Sequence, residues 1–428
     1  MNKDKLISIC INACRFFLAA VFAFSGFIKA NDPLGTVYKI QDYLEAWELY
    51  AFKDNFFPYV MSVSLGVFEF VVGINFLLGL RKKLTAFLIL VFMLVMTPLS
   101  LWLAIENPIS DCGCFGDAVL LTNWETFAKN VVLLVAAILV ARYSNRIIKL
   151  VSDRVDWLMS LYAFVFIIFF ALYSYHRLPT FDFRPFKIGT DIRAAMEVPE
   201  GAQKTVYETV LLYAKDGETR RFTIDNYPKN TTWVFVDAET VVKEKGYEPP
   251  ISDFTIISCK EGDDITPQVL SDSGYTFLLV APWLSKADDS EMDLINEVYD
   301  YSRDHGYRFI ALTASNDEDI ELWSDNTGAE YEFAIMDEIL LKTIVRSSPG
   351  LVLIKDGVII NKWSCSNLPD EYTLSAPLDK LPIGDLNKKT VAYKIFSLLA
   401  WFILPLLFLM VIDVIWRKIQ TVRTKKVK

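Results

Sequence analysis

Two cysteines separated by a single glycine, Cys112-Gly113-Cys114, stand in the stretch 105–126, IENPISDCGCFGDAVLLTNWET. A disulfide across one intervening residue closes a small strained ring. Strain raises the reduction potential, so such a bond suits thiol–disulfide exchange better than stapling. Gly113 supplies the backbone freedom that ring needs. Asp111 and Asp117 flank the pair, and negative charge beside a thiol raises its pKa, so the spacing predicts thiols that are not activated. The spacing also fits a structural loop disulfide or a two-thiolate metal site, although a lone C-x-C is not a usual ligand set and no metal is assigned. The chain holds six cysteines and two histidines, His176 and His305, which argues against a disulfide-stapled scaffold, a His-rich metal centre or a haem pair.

A second candidate lies in the apolar run LGVFEFVVGINFLLGLRKK, where Glu69 is ionisable and Asn75 follows six residues later. An ionisable group inside a membrane is costly, which makes Glu69 and Asn75 a candidate intramembrane polar site. The alternative is a carboxyl that merely hydrogen-bonds a neighbouring helix. Gly66 and Gly73 on the same run allow close helix approach.

The elements that must position these residues follow from hydropathy. The chain has 428 residues, 53% hydrophobic, with the apolar residues clustered. Six runs reach spanning length, at 6–28, 58–80, 84–105, 124–141, 157–175 and 393–416. Arg81, Lys82 and Lys83 fill the link after the second run, Arg142, Arg146, Lys149 and Arg154 the link after the fourth, and the tail after the sixth is basic. The loop from Glu106 to Asn123 has no Lys or Arg. Under the positive-inside rule both termini are cytoplasmic, and the Cys-Gly-Cys loop and residues 176–392 lie outside. The first run could be a cleaved leader, but no A-x-A-like site closes it. Residues 29–57 read as an amphipathic segment at the interface or as a cap over the bundle. An acidic outer region and basic membrane edges exclude nucleic acid as a partner; the lipid bilayer is the expected one.

The outer region reads as strands over about 202–240, with a hairpin turn at Lys215-Asp216-Gly217, and then as alternating strand and helix closing on a hairpin, GLVLIKDG and VIINKWS. That alternation gives an α/β sandwich with a mixed sheet.

The string IVRSSPGLVLIKDGVIINKW resembles the cis-proline strand and closing hairpin of thioredoxin-fold proteins, and EPPISDFTI followed by YTFLLVAPWLSKAD resembles the opening of the extracytoplasmic thioredoxin and peroxiredoxin branch. The resemblance implies that Pro349 is the cis-proline and that Leu284 and Ala287 occupy the two positions of a lost C-x-x-C. Such a domain would keep a shape that holds extended thiol peptides while lacking the nucleophile. The strings FAFSGFIKANDP, EFVVGINFLLGL and DCGCFGDA resemble the DoxX-like superfamily and, within it, MauE-type proteins, which are associated with maturation of a disulfide-containing periplasmic methylamine dehydrogenase subunit. The whole arrangement resembles DoxX proteins of Bacteroides-type bacteria.

The expected fold class is therefore mixed: an α-helical membrane bundle, a four-helix unit plus two further spans, with an extracytoplasmic α/β thioredoxin-like domain. The expected division is a four-helix unit over 1–145, a fifth helix over 155–176 and a β-rich segment over 177–249. A degenerate thioredoxin-like domain over 250–390, a sixth helix over 393–416 and a basic tail over 417–428 complete it. The resemblance implies a thiol–disulfide redox or redox-maturation protein of the bacterial inner membrane. Cys112 and Cys114 would be its catalytic pair, envelope protein thiols or a thioredoxin-like protein its partners, and the cysteine-less domain would bind the client. No cofactor is fixed by the residues; a quinone held within the four-helix unit would serve as electron acceptor. The alternative is a non-enzymatic envelope assembly or binding protein with a structural loop disulfide.

Overall fold

The six apolar runs fold as helices, Asp4–Asn31, Phe57–Leu78, Lys82–Glu106, Asn123–Arg142, Asp156–His176 and Val391–Ile419, each long and apolar enough to cross a bilayer. They are numbered here as spans one to six of a multi-pass membrane protein. The computed structural model describes residues 3–53, 56–199, 201–203, 206–215, 218–223, 226–228, 233–244, 246–386 and 391–426.

Spans one and two pack closest, and glycines permit it. A Cβ on Gly26 would sit 2.3 Å from the backbone nitrogen of Phe70, and one on Gly73 would sit 2.4 Å from that of Ala23. At the basic end, span two stops on Gly79 in the left-handed conformation, φ 73°. Helix ends leave carbonyls without partners, and Arg15, fully buried, donates to the carbonyls of Phe76 and Ile148 at 2.7 Å each. Span four starts with a capping box in which the Thr122 side chain accepts from the N–H of Glu125 and the Glu125 carboxylate accepts from the N–H of Thr122. Span five closes the bundle, stacking Phe170 on Phe27 with ring centroids 5.1 Å apart. Span six lies outside it through Phe402 on Phe70, and its Asp413 accepts from the Ser152 N–H at 3.1 Å.

Between spans one and two the chain forms a helix, Pro33–Ala46, started by Asp32, whose side chain accepts from the Gly35 N–H, with Pro33 in the first turn. Of the two readings for this segment, the structure gives the cap. The helix packs its buried Pro33, Val37 and Leu44 on the bundle and hangs Lys39 and Tyr43 over the Cys-Gly-Cys loop.

The region between spans five and six holds two sheets. Strands β1 (Val206–Lys215), β2 (Glu218–Thr223) and β3 (Val234–Glu244) form an antiparallel sheet ordered β2-β1-β3. Asp216 and Gly217, the expected turn, lie outside the described residues. The second sheet contains β4 (Ile257–Ser258), β5 (Tyr275–Val280), β6 (Arg308–Thr313), β7 (Glu332–Ile335), β8 (Gly350–Lys355) and β9 (Val358–Ser364), ordered β4-β7-β6-β5-β8-β9. Central β5 pairs parallel with β6 and antiparallel with β8. Every residue of β5 is buried, because both faces are covered. Helices Met292–Asp304 and Asp317–Thr327 cover Phe277 and Leu279 on one face, and helix Glu338–Ile344 covers Leu278 and Val280 on the other. A parallel β-α-β unit followed by an antiparallel hairpin on the far side of the first strand is the thioredoxin-like arrangement.

Enlarging Gly26 to Val forces side-chain atoms into the span-two backbone. Overpacking of this kind costs about 1–3 kcal/mol or more, so Gly26→Val is expected to lower the thermal unfolding midpoint in detergent clearly below the parent. An unchanged midpoint would mean the two spans do not approach as described.

Candidate functional site

Cys112 and Cys114 lie in the loop joining spans three and four, their sulfurs 2.8 Å apart and neither in a disulfide. Gly113 adopts φ 68°, and a Cβ there would meet the Lys39 side chain at 3.0 Å, so the turn needs glycine twice over. The Gly113 N–H donates to Asp111 Oδ1 at 2.8 Å.

The loop is fixed from below by buried charge. Lys29, near the C-terminal end of span one, donates to Glu69 Oε2 at 2.8 Å, to Ser25 Oγ at 2.7 Å and to the Cys114 carbonyl at 2.9 Å. Ser25 Oγ donates to the same carbonyl at 2.7 Å. Lys29 and Glu69 are only 6% and 4% exposed. Glu69 is thus tied to the thiol loop through one lysine. Asn75 is not part of this group: its Oδ1 accepts from Ser160 Oγ on span five at 2.8 Å. Six residues along a helix turn about 600°, so two such side chains point about 120° apart, and the expected joint site of Glu69 and Asn75 divides into two separate contacts.

From above, Tyr43 Oη donates to the Cys112 carbonyl at 3.2 Å and Lys39 pairs with Asp111 at 2.8 Å. Arg346, buried and three residues before Pro349, bridges Asp117 of the loop at 3.0 Å and Asp32 at 2.9 Å, with its guanidinium over the Tyr38 ring. The thioredoxin-like domain is therefore docked on the thiol loop by a side chain from its own proline segment. Between them lies a chamber of about 320 Å³, lined by Lys39, Asp117, Asp182, Lys342, Arg346 and the backbone of Gly113 and Gly116.

The two thiols differ. Hydrogen bonding to Cys114 and burial push Cys112 up. The hydrogen bond from Cys112, with Lys129 and Lys29 nearby, pulls Cys114 down against its own burial. This corrects the expectation of unactivated thiols. The flanking Asp111 and Asp117 pair with Lys39 and Arg346, and the lysines near Cys114 come from spans one and four, outside the loop itself.

In the domain, the Ser348–Pro349 peptide bond is cis. Leu284 is buried in the core, its N–H donating to Ser315 Oγ at 2.9 Å, and half-buried Ala287 packs against the same cluster. The Ser348 carbonyl accepts from the Asp288 N–H at 2.9 Å. The edge that would pair with an extended peptide at this carbonyl is taken by the chain itself, which corrects the expectation of an open peptide-holding shape there. Cys365 sits beside this region, its N–H bonded to Ser347 Oγ at 2.9 Å and its thiol pushed up to about 11 by burial. Sequence reasoning missed Ser25, Lys29, Lys129 and Arg346. Their signal was present as polar residues interrupting apolar runs and as an arginine beside the proline, but Lys29 finds Glu69 40 residues away and Arg346 finds Asp117 and Asp32 229 and 314 residues away.

Residues 7–143, which include the thiol pair and Glu69, match the family described as methylamine utilisation protein MauE. Residues 207–245, the three-stranded sheet, match a domain of unknown function, DUF8463. No curated protein matches the chain. Among solved structures, a protein from Bacteroides thetaiotaomicron assigned as a protein disulfide isomerase shares 19% identity over 27% of this chain and 76% of its own, with a TM-score of 0.22. The thioredoxin domain of a thiol-disulfide oxidoreductase from Bacteroides vulgatus shares 14% identity over 26% of this chain and 81% of its own, also with a TM-score of 0.22. The thioredoxin-like class of the domain is carried by its own strand order.

With Cys114 lowered and Cys112 raised, alkylation of the reduced protein is expected to modify Cys114 first. Its rate should reach a plateau at a pH below the ordinary thiol midpoint of about 8.5. Cys112→Ser weakens the main cause, so that midpoint should move up. A midpoint at or above the ordinary value, unchanged in Cys112→Ser, would contradict the asymmetry.

Proposed function

We propose that the protein is a thiol–disulfide relay of the bacterial inner membrane, oxidising client thiols at the outer face through Cys112 and Cys114. The observation that carries this reading is the pair itself: two sulfurs 2.8 Å apart in a loop whose Cys112 and Cys114 carbonyls are anchored by Tyr43 and by buried Lys29 and Ser25, with Cys114 pulled down and Cys112 pushed up by their mutual hydrogen bond. The match of residues 7–143 to the MauE family supports a redox-related role for the membrane unit. The basic links on the opposite side support an outward-facing loop.

The step balances as an exchange. A client thiolate attacks the Cys114 sulfur of the oxidised pair, the Cys112–Cys114 bond breaks, and Cys112 takes a proton. A second client thiolate then attacks the client sulfur of the mixed disulfide and expels Cys114 as a thiolate. Its lowered pKa makes Cys114 a good leaving group. The client gains one disulfide and the pair holds two electrons. The chamber beside Gly113 and Gly116 is the route for the client, and its volume suits an extended loop or side chain rather than a folded surface. The domain roofs this chamber with Lys342 and Arg346 instead of supplying a nucleophile.

The test uses the full chain in nanodiscs with the pair oxidised, given a reduced dithiol peptide in stoichiometric amount. Transfer of one disulfide per protein is expected, with none from Cys114→Ser. Cys112→Ser, reduced and offered an oxidised small disulfide, should hold it as a stable adduct on Cys114. A purely structural loop disulfide would give no transfer from the parent and no such adduct.

A further inference from the structure

In the relay reading, on which this inference rests, Cys112 is the sulfur that leaves when the disulfide opens. Its side chain is only 7% exposed and packs with Leu103 and Ile109, with Ala46 and Trp102 against them. A thiolate is disfavoured in such a pocket, because burial without a partner penalises charge. Opening the bond places an electron pair on this sulfur all the same, so the step needs a donor beside it.

One reaches it from the cap helix. Helix Pro33–Ala46 crosses the loop with two side chains one turn apart. Lys39 pairs with Asp111 at 2.8 Å, and Tyr43 Oη donates to the Cys112 carbonyl at 3.2 Å. The Tyr43 ring is half-buried and packs on the Cys112 cluster. It meets Trp47 with centroids 5.7 Å apart, and Trp47 meets Trp102 at 5.8 Å. The hydroxyl also reaches the Cys112 side chain. The hydrogen bond to Cys114 and burial push that thiol up, and the Tyr43 hydrogen bond opposes them. Cys112 further faces Cys114 in its own loop and the Lys129 cation of span four, while Asp111 is paired with Lys39. A hydroxyl carries one proton on a free rotor, so it can serve the carbonyl in one state and the sulfur in the next.

We propose that Tyr43 is a catalytic residue of the exchange: its hydroxyl turns from the Cys112 carbonyl to the Cys112 sulfur and stabilises the charge that sulfur takes as the disulfide opens. The client thiolate forms a bond to Cys114, the Cys112–Cys114 bond breaks, and Cys112 departs with the electron pair. The hydroxyl donates a hydrogen bond without giving up its proton, because burial and the neighbouring Cys112 push the tyrosine up. The proton that Cys112 finally takes comes from water. A donor already in place where charge develops stabilises the transition state at little reorganisation cost. The second step does not use it, since there Cys114 departs, close to Lys129 and Lys29. The two sulfurs thus have separate helpers, a hydroxyl from the cap helix and cations from the spans.

The experiment uses the full chain in nanodiscs with the pair oxidised, and a reduced dithiol peptide. Tyr43→Phe keeps the ring and removes the donor, so opening should slow about tenfold, the worth of one hydrogen bond to a charged group. Cys112→Ser carrying a small thiol as an adduct on Cys114 isolates the second step. Release of that adduct by added thiol should run at the same rate with and without Tyr43→Phe. In reduced Cys114→Ser, Tyr43→Phe should move the alkylation midpoint of Cys112 up by about one pH unit. An opening rate or a Cys112 midpoint unmoved by Tyr43→Phe overturns the inference and leaves the relay standing. Equal slowing of both steps also overturns it, since that marks Tyr43 as a prop for the loop. No disulfide transfer from the parent ends the relay and the inference with it.

Discussion

The arrangement depends on one buried ammonium. Lys29 sits almost without solvent near the C-terminal end of span one, and its three donors are used on Glu69, Ser25 and the Cys114 carbonyl. An unpaired charge at that depth would be costly, so the lysine holds the carboxylate, and the thiol loop is held with it. A buried ion pair is weak evidence for stability when set against apolar packing; its best-attested use is to specify one arrangement over others. Here the arrangement specified is the height and direction of Cys114 above the bundle.

The second fixture acts from the opposite side. Arg346 reaches from the proline segment of the thioredoxin-like domain to Asp117 and Asp32, while Lys39 takes Asp111. These contacts absorb the negative charge beside the thiols and leave Cys114 facing the cations of spans one and four. The thioredoxin-like domain, with Leu284 and Ala287 packed into its core and the Ser348 carbonyl occupied internally, has its usual reactive place filled. Its polar segment next to that place has become a docking surface for the membrane loop. The cysteine pair and the thioredoxin shape are present together, but on different parts of the chain.

How much of this was legible in the sequence follows from the range of the forces involved. The six spans are readable because hydropathy is a local property, and their ends fall within a few residues of the helices found. The strands from Tyr275 onward are readable because runs such as YTFLLV are buried on both faces and bounded by turn residues. The thiol pair is readable as a pair. What it could not reveal alone is which charges surround it. Asp111 and Asp117 lie beside the pair in sequence and suggested raised pKa values; the hydrogen bond from Cys112, with Lys129 and Lys29 brought near by the fold, reverses that for Cys114, while Arg346 takes up the charge of Asp117. Glu69 and Asn75 share a helix but not a face, so their nearness along the chain joined two contacts that the structure separates.

The most direct measurement is the reduction potential of the Cys112–Cys114 pair in the purified full chain, read by alkylation and mass shift across a glutathione series. A relay predicts a value near or above about −200 mV, among disulfides that exchange. A value below about −300 mV, or thiols that never pair, would mark the loop as structural and contradict the account.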